Sequence, residues 1–133
     1  MKPKIQVEFV ITGIHIPPDE ITRQLNLEST CSWLKGDSIQ GTNLRRKHNG
    51  WCFSIENRQD GLEIEEYILP LINALSPSAQ LIRQICKEYE MSSEISCVIY
   101  MSDETPVINL SPQVLSTIVD LGAAIDVDII LSK

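Results

Sequence analysis

Near the start of the chain, residues 4–12 alternate largely between apolar and polar side chains. Over residues 4–12 an apolar side chain recurs at every second position from Ile5 to Ile11, with Gln6 and Glu8 among the polar residues between them. A period of two is typical of a strand that buries one face and leaves the other in water. The first element is therefore predicted to be a half-buried strand.

Three later segments also have strand patterns. The segment NGWCFSIEN puts Trp51, Phe53 and Ile55 on one face, which is predicted to face the core. The segment SEISCVIYM is apolar on both faces, which favours an internal strand. Near the end of the chain, apolar residues alternate with Asp126 and Asp128. The segment ETPVINL predicts either a short strand or only an extended turn.

Helix patterns, with apolar residues three and four apart, lie between these strands. Asn26 and Gly122 are residue types that commonly end a helix. The predicted helices run from Pro18 to Asn26, from Asp60 to about Leu75 with a kink or break at Pro70, from Ser76 to Tyr89 and from Ser111 to Gly122. Leu81 and Leu115 are assigned to the buried faces of the last two helices.

The order of these elements, β-α-(loop)-β-α-α-β-α-β, predicts an α+β fold. Strands with one polar face favour a largely antiparallel sheet covered on one side. The predicted architecture is therefore a two-layer sandwich of four to six strands with helices packed on one face. The chain of 133 residues is long enough for one core, so a single domain over residues 1–133 is expected.

Residues 28–50 interrupt this regular pattern. The segment is polar and holds three glycines, and a loop of this length inside a domain is usually functional or disordered. It also contains Trp33, for which two roles stay open. The side chain either closes the end of the sheet or forms an exposed anchor of the type common in binding hot spots.

The charge distribution singles out the same segment. The net charge of −7 disfavours binding to nucleic acid or to an anionic membrane, both of which attract positive surfaces. Residues 28–50 nevertheless carry a local charge of +2, so the remainder carries −9. The charged residues of the segment are Lys35, Arg45, Arg46 and Lys47 against Glu28 and Asp37.

Neither a membrane span nor an export signal is recognisable. No apolar run reaches the roughly 18 residues that a spanning helix needs. The N-terminal segment alternates in polarity and lacks the continuous apolar stretch of a signal peptide. The cytoplasm is therefore the expected location, without a membrane partner.

The cysteines and carboxylates offer two further candidate chemistries. The four cysteines are widely spaced and lack a C-x-x-C motif, which disfavours a zinc site or a disulfide framework, and Cys52, Cys86 and Cys97 are interpreted as small apolar residues. The carboxylates on the polar strand faces form either a patch for a hard divalent cation or a solvated surface, and the second interpretation is favoured. They are Glu8, Glu56, Asp126 and Asp128.

The sequence has no recognisable catalytic or cofactor motif. The segment QGTNLRRKH lacks the glycine spacing of a phosphate-binding loop, and no G-x-S-x-G elbow is present. No catalytic residue, metal or cofactor is predicted. Arginine forks beside a tryptophan can bind anions or carboxylates. The candidate partner- or ligand-binding residues are Trp33, Lys35, Asp37, Arg45, Arg46 and His48.

Several segments together resemble a bacterial family known as domain of unknown function 4279. They are PDEITRQLNLESTCSWLKGD, GWCFSIEN, the two-helix segment to Glu90, and LSPQVLSTIVDLGAAIDVDI, in the order found in that family. Asn26 and Ser29 stand where the family tends to have glycine and proline. The resemblance implies a small α+β domain, and some acidic domains of this kind are thought to be immunity proteins that block a toxin.

Two hypotheses follow. The first is a non-enzymatic interaction domain that binds another protein, and neutralising that protein, as an immunity protein does, is one form of this role. The alternative is a domain that binds a small anionic ligand, or a weak hydrolase, using the basic loop 28–50 with Arg45, Arg46 and His48. A homodimer formed through the sheet face is a further expected arrangement.

Overall fold

The computed structural model describes residues 1–57 and 59–131. These residues form five strands and four α-helices, with a short 3₁₀ turn between the second and third helices. The elements are β1 (Lys4–Gly13), α1 (Pro18–Leu25), β2 (Cys31–Trp33), β3 (Asn49–Phe53), α2 (Ile64–Leu75), the 3₁₀ turn (Ser76–Ser78), α3 (Ala79–Glu88), β4 (Ser92–Tyr100), α4 (Pro112–Asp120) and β5 (Ala124–Ile130).

The strands form one sheet in the order β2-β3-β1-β4-β5. The first three pairings in this order are antiparallel, whereas β4 and β5 run parallel. A parallel pair needs a crossover connection, and α4 lies within that connection. The predicted α+β fold, with a largely antiparallel sheet and helices packed on one face, is confirmed.

The core lies between the sheet and the helices. Alternate residues of β1 point into it, and Ile5, Phe9 and Ile11 are buried there. Helix α2 contributes an apolar stripe at helical spacing. The buried residues of that stripe are Ile64, Ile68, Leu71, Ile72 and Leu75. The opposite side of the sheet, which we call the open face, carries the remaining residues of each strand.

Trp51 fills the centre of this core. Its indole meets the Phe9 ring edge-on, with 6.4 Å between centroids, and stacks on Phe53 at 6.1 Å. The indole Nε1 donates a hydrogen bond of 3.0 Å to the Thr22 hydroxyl of α1, so its only polar group is satisfied. Its predicted core position is confirmed.

Most helix ends lie where the sequence places them. Asn26 takes a left-handed conformation with φ 51° and ends α1, and Gly122 does the same after α4 with φ 71°. The Ser111 hydroxyl caps α4 by accepting a hydrogen bond from the Val114 backbone. Helix α2 differs, because it begins at Ile64 rather than near Asp60 and continues through Pro70.

Three predicted core residues are exposed instead. Leu81 and Leu115 lie on the solvent side of α3 and α4, next to the buried residues Ile82 and Val114. Ile55 follows the end of β3, so the alternation of that strand no longer fixes its direction. The buried faces of α3, α4 and β3 are therefore each one residue smaller than the sequence indicates.

Candidate partner-binding surface

Residues 34–48 form an ordered arm that links β2 to β3. The arm folds back on itself through backbone hydrogen bonds, including Gly36 N–H to the Arg46 carbonyl at 2.8 Å and Ile39 N–H to the Leu44 carbonyl at 3.0 Å. Gly36 and Gly41 have positive φ angles, which suits the tight reversals of the backbone. The segment predicted as a loop therefore contains no helix or strand beyond β2 and the start of β3, but its backbone is held in a defined shape by hydrogen bonds.

Polar side chains fix the base of the arm. The Asp37 carboxylate accepts a hydrogen bond of 2.8 Å from the Leu34 N–H. The Asn49 amide accepts one of 2.9 Å from the Lys35 N–H and donates one of 3.0 Å to the Ile16 carbonyl. These bonds tie the arm to β3 and to the segment after β1, so it has a defined position on the domain.

Trp33 lies where the arm leaves the sheet. In the pairing of β2 with β3, Trp33 lies opposite Gly50, and a Cβ at position 50 would overlap the indole ring. The ring therefore rests directly on the glycine backbone of the open face. On the ring, Arg46 stacks with its guanidinium carbon 4.0 Å from the ring centroid, a cation–π contact. Trp33 is half-buried and lies outside the core.

Two cavities share the Trp33 side chain. The first, of about 300 Å³, is an open depression in the arm, and the second, of about 340 Å³, lies between the arm and the start of α1. The first is lined by Trp33, Ile39, Leu44, Arg45, Arg46, Lys47 and His48. The second is lined by Pro17, Pro18, Asp19, Ser32, Trp33, Leu34 and Asp37.

The structure brings most of the sequence-predicted residues together. Trp33, Arg45, Arg46 and His48 line the first cavity, whereas Asp37 lines the second. Lys35 is exposed and belongs to neither lining. Arg45 also has a role inside the arm, because its guanidinium donates a hydrogen bond of 3.0 Å to the Gly36 carbonyl.

Sequence reasoning missed the apolar residues of this surface. Leu44 is 65% exposed and Leu34 is 49% exposed, and both line a cavity together with Trp33. Neither leucine belongs to an apolar periodicity, so no pattern assigned them. Their one signal is the presence of isolated leucines in an otherwise polar segment, since such residues have no core to enter.

The cations of the arm have no carboxylate partner within the described residues. The ion pairs found there are the N-terminus with Asp103, His15 with Glu90, and Arg23 with Glu20. Arg45, Lys47 and His48 are exposed. Because the rest of the chain is acidic, the arm is a local positive surface next to exposed leucines.

The four carboxylates of the predicted strand faces do not converge on one point. Glu8 and Asp126 lie on either side of Ser96, so their backbones are two strand spacings, or about 10 Å, apart. Asp128 lies further along β5, and Glu56 follows the end of β3. Burial raises the pKa of the Glu8 carboxyl above its ordinary value. A solvated face therefore describes the set better than a shared cation site.

Among the described residues, no helix has both the length and the apolar content that crossing a bilayer requires.

Comparison with known proteins bears on the family alone. No curated protein and no solved structure matches the chain. A family model described as Domain of unknown function (DUF4279) matches residues 3–132, nearly the whole chain. The resemblance seen in the sequence is thereby confirmed, and the chain belongs to the DUF4279 family.

Proposed function

We propose that the protein is a non-enzymatic interaction domain whose arm, residues 34–48, binds an acidic surface of another protein. One observation carries the proposal. Arg45, Lys47 and His48 are exposed without a carboxylate partner in the described residues, beside the exposed Leu44, on a chain of net charge −7. A positive surface with an apolar centre complements an acidic partner with an apolar contact point.

The side chains of this surface have different expected roles. Trp33 and Leu44 would supply the apolar contact, and aromatic residues of this kind often dominate binding energy. Arg46 would present its guanidinium to partner carboxylates while its flat face stays on Trp33. Lys47 would add charge at the edge, and His48 would offer a hydrogen-bonding ring beside it.

Lys35, Asp37 and Arg45 support the shape of the surface more than its chemistry. The hydrogen bond from Arg45 to the Gly36 carbonyl holds the two sides of the arm together, and the bond from the Leu34 N–H to Asp37 fixes the turn at its base. Lys35 contributes its backbone N–H to Asn49. Replacing Arg45 would therefore alter the arm itself, which makes it a poor test of direct binding.

Neutralising a partner toxin, as immunity proteins do, would be one form of this function. A small acidic domain with one cationic arm suits a role in which it covers a surface of a second protein. The cytoplasm is the compartment proposed for that encounter. The partner's identity would come from the capture experiment described next.

The test compares retained proteins in affinity capture from the native cell lysate. The variant Arg46→Glu/Lys47→Glu reverses two charges of the arm, and Lys2→Glu/Lys87→Glu makes the same change in net charge at exposed positions elsewhere. We expect a protein that wild type and the control retain and the arm variant loses, followed by direct titration of that purified protein. Equal retention by all three would contradict the proposal.

The alternative function is binding of a small anion, or weak hydrolysis of one. The cavity of about 300 Å³ with Arg45, Arg46 and His48 in its lining is the observation that favours it, since it reaches the lower end of ligand-site volumes. Millimolar phosphate or nucleotide should then raise the melting temperature by mass action. An unchanged melting temperature across such a screen would count against this alternative.

A homodimer through the open face remains a second proposed arrangement. Asp126 and Asp128 lie on that face beside Ser96 and Val98, so self-association would bring like charges close together. Dimerisation should therefore strengthen with ionic strength. Sedimentation at low and high salt measures this, and a constant monomer mass would remove the dimer.

A further inference from the structure

Three side chains with metal-binding atoms meet on the open face, and none of them lines either cavity of the arm. Cys31 of β2 pairs directly with Cys52 of β3, and Cys52 pairs in turn with Val10 of β1. Glu8 lies two residues before Val10, so its side chain points to the same face and reaches diagonally toward Cys52. The register of three strands thus groups residues that are far apart in sequence.

The distances in this cluster suit a single ion. The two sulfur atoms and a carboxylate oxygen of Glu8 all lie within 4.8 Å of one another. Zinc binds thiolate sulfur at about 2.3 Å and carboxylate oxygen at about 2.0–2.2 Å, so an ion at the centre of the group needs only small side-chain rotations. Two sulfur ligands favour a thiophilic cation over Mg²⁺ or Ca²⁺, which prefer oxygen.

We propose that Cys31, Cys52 and Glu8 form a three-ligand site for a thiophilic divalent cation, with Zn²⁺ as the best match. The fourth position would be left to water, as in zinc sites with an exchangeable ligand. Glu8 also lines an open-face cavity of about 340 Å³, and Cys31 is exposed, so an ion has a path into the site. The proposal does not depend on the function proposed for the arm.

An ion at this point would compete with the protons of its ligands. Burial raises the pKa of the Cys52 thiol, and its hydrogen bond with Cys31 and the nearby Glu8 charge raise it further, against an opposing effect of Arg46. Burial also raises the pKa of Glu8. A bound divalent cation would favour the deprotonated forms of Cys52 and Glu8, because it compensates their negative charge.

The wide spacing of the four cysteines in the sequence predicts no zinc site. That expectation rested on linear spacing, as in C-x-x-C motifs that place two ligands on one turn. A sheet brings ligands together by register instead, and no local motif records it. Cys86 and Cys97 lie outside the cluster, Cys86 on α3 and Cys97 on the core face of β4.

The test is titration of Co²⁺ into the reduced, metal-free protein. Co²⁺ substitutes for Zn²⁺, and thiolate bonds to it give a near-ultraviolet charge-transfer absorption whose intensity follows the number of sulfur ligands. We expect one equivalent bound, displacement by Zn²⁺, and a band reduced by about half in Cys31→Ser, since one of two thiolates is lost. Glu8→Gln should keep the band but weaken binding at least about tenfold.

Cys86→Ser is the matched control, because it removes a thiol on the other side of the sheet and should leave the band unchanged. Cys31 carries the test because it is exposed, whereas replacing the buried Cys52 endangers folding. Absence of a charge-transfer band would overturn the proposal, as would an equal band in Cys31→Ser. An intact mass lower by two hydrogens after air oxidation, without Co²⁺ uptake by the reduced protein, would identify a disulfide-forming pair instead.

Discussion

Trp51 and Trp33 lie on neighbouring paired strands but on opposite faces of one sheet. Trp51 is enclosed by Phe9 and Phe53 and donates to Thr22, so every part of the indole has a partner inside the core. Trp33 instead rests on the bare backbone of Gly50 beneath a guanidinium. The same residue type thus serves the core in one place and an exposed surface in the other.

The difference shows what decides the role of an aromatic residue. Trp51 takes its place from the alternation of β3, which points it toward the helices together with Phe53. Trp33 ends a strand of three residues, and its surroundings come from the arm that follows. Core packing should therefore dominate the energetics of Trp51, and recognition those of Trp33. The following predictions test that contrast, from the largest expected effect to the smallest.

Trp51→Ala should have the largest effect. Removing a fully buried indole leaves a cavity and breaks the hydrogen bond to Thr22, so the free energy of unfolding should fall by about 3–5 kcal/mol. Urea denaturation followed by circular dichroism measures this loss. A change below that for Trp33→Ala would reverse the comparison.

Gly50→Ala should displace Trp33 without removing it. The new Cβ would overlap the indole, and overpacking of this kind costs about 1–3 kcal/mol. In a Trp33→Ala background the overlap disappears, so the same glycine substitution should cost much less. A double-mutant cycle in urea gives the coupling between the two positions. Additive effects would show that the ring does not rest on Gly50.

Trp33→Ala should cost about 1–2 kcal/mol of stability, because the indole is half-buried and loses its cation–π contact. The domain should stay folded, while capture of the partner should be lost. Thermal melting and the capture experiment are measured on the same preparation. Unfolding at 25 °C would show that Trp33 is a core residue after all.

Glu8→Gln should stabilise the metal-free protein slightly at pH 7. Burial raises the folded pKa of Glu8 above its ordinary value of 4.5, so the folded state binds the proton more tightly than the unfolded chain. The carboxyl therefore favours folding at low pH, and this contribution is lost as pH rises through the folded pKa. Urea midpoints at pH 4 and pH 7 test the sign. An equal or larger gain at pH 4 would contradict it.

Glu20→Gln should have the smallest effect, with the opposite pH dependence. A hydrogen bond from Arg23, with a second from Gln24, lowers the pKa of Glu20 from 4.5 to about 2. Its contribution to stability is present above pH 4.5 and is lost as pH falls toward 2. Because the pair is exposed, the change should also shrink in high salt. A salt-independent loss would point to packing instead of charge.

The sequence predicted those parts of the fold that depend on local patterns. Alternation identified β1, β3 and β5, an apolar run identified β4, and residue chemistry located the ends of α1 and α4 at Asn26 and Gly122. Strand β2 was missed because three residues are too few to show a period. The parallel direction of β5 was also beyond reach, since it depends on how the connection crosses the sheet.

The candidate site divides in the same way. Charge and composition singled out Arg45, Arg46 and Trp33, since these are visible residue by residue. The stacking of Arg46 on Trp33 and the contribution of Leu44 depend on how the arm folds back, which no periodicity records. The grouping of Cys31, Cys52 and Glu8 depends on strand register between distant segments, which is also invisible in the linear sequence.

The central position of β1 has a consequence for how the chain folds. Its residue Phe9 lies opposite both Phe53 and Ile95, so β1 pairs with residues that come 44 and 86 positions later in the sequence. Long sequence separations between contacts slow folding. Pairing on both sides of β1 therefore requires long intervening stretches of chain to become ordered, so closure of the centre of the sheet is expected to be a late, cooperative step of folding.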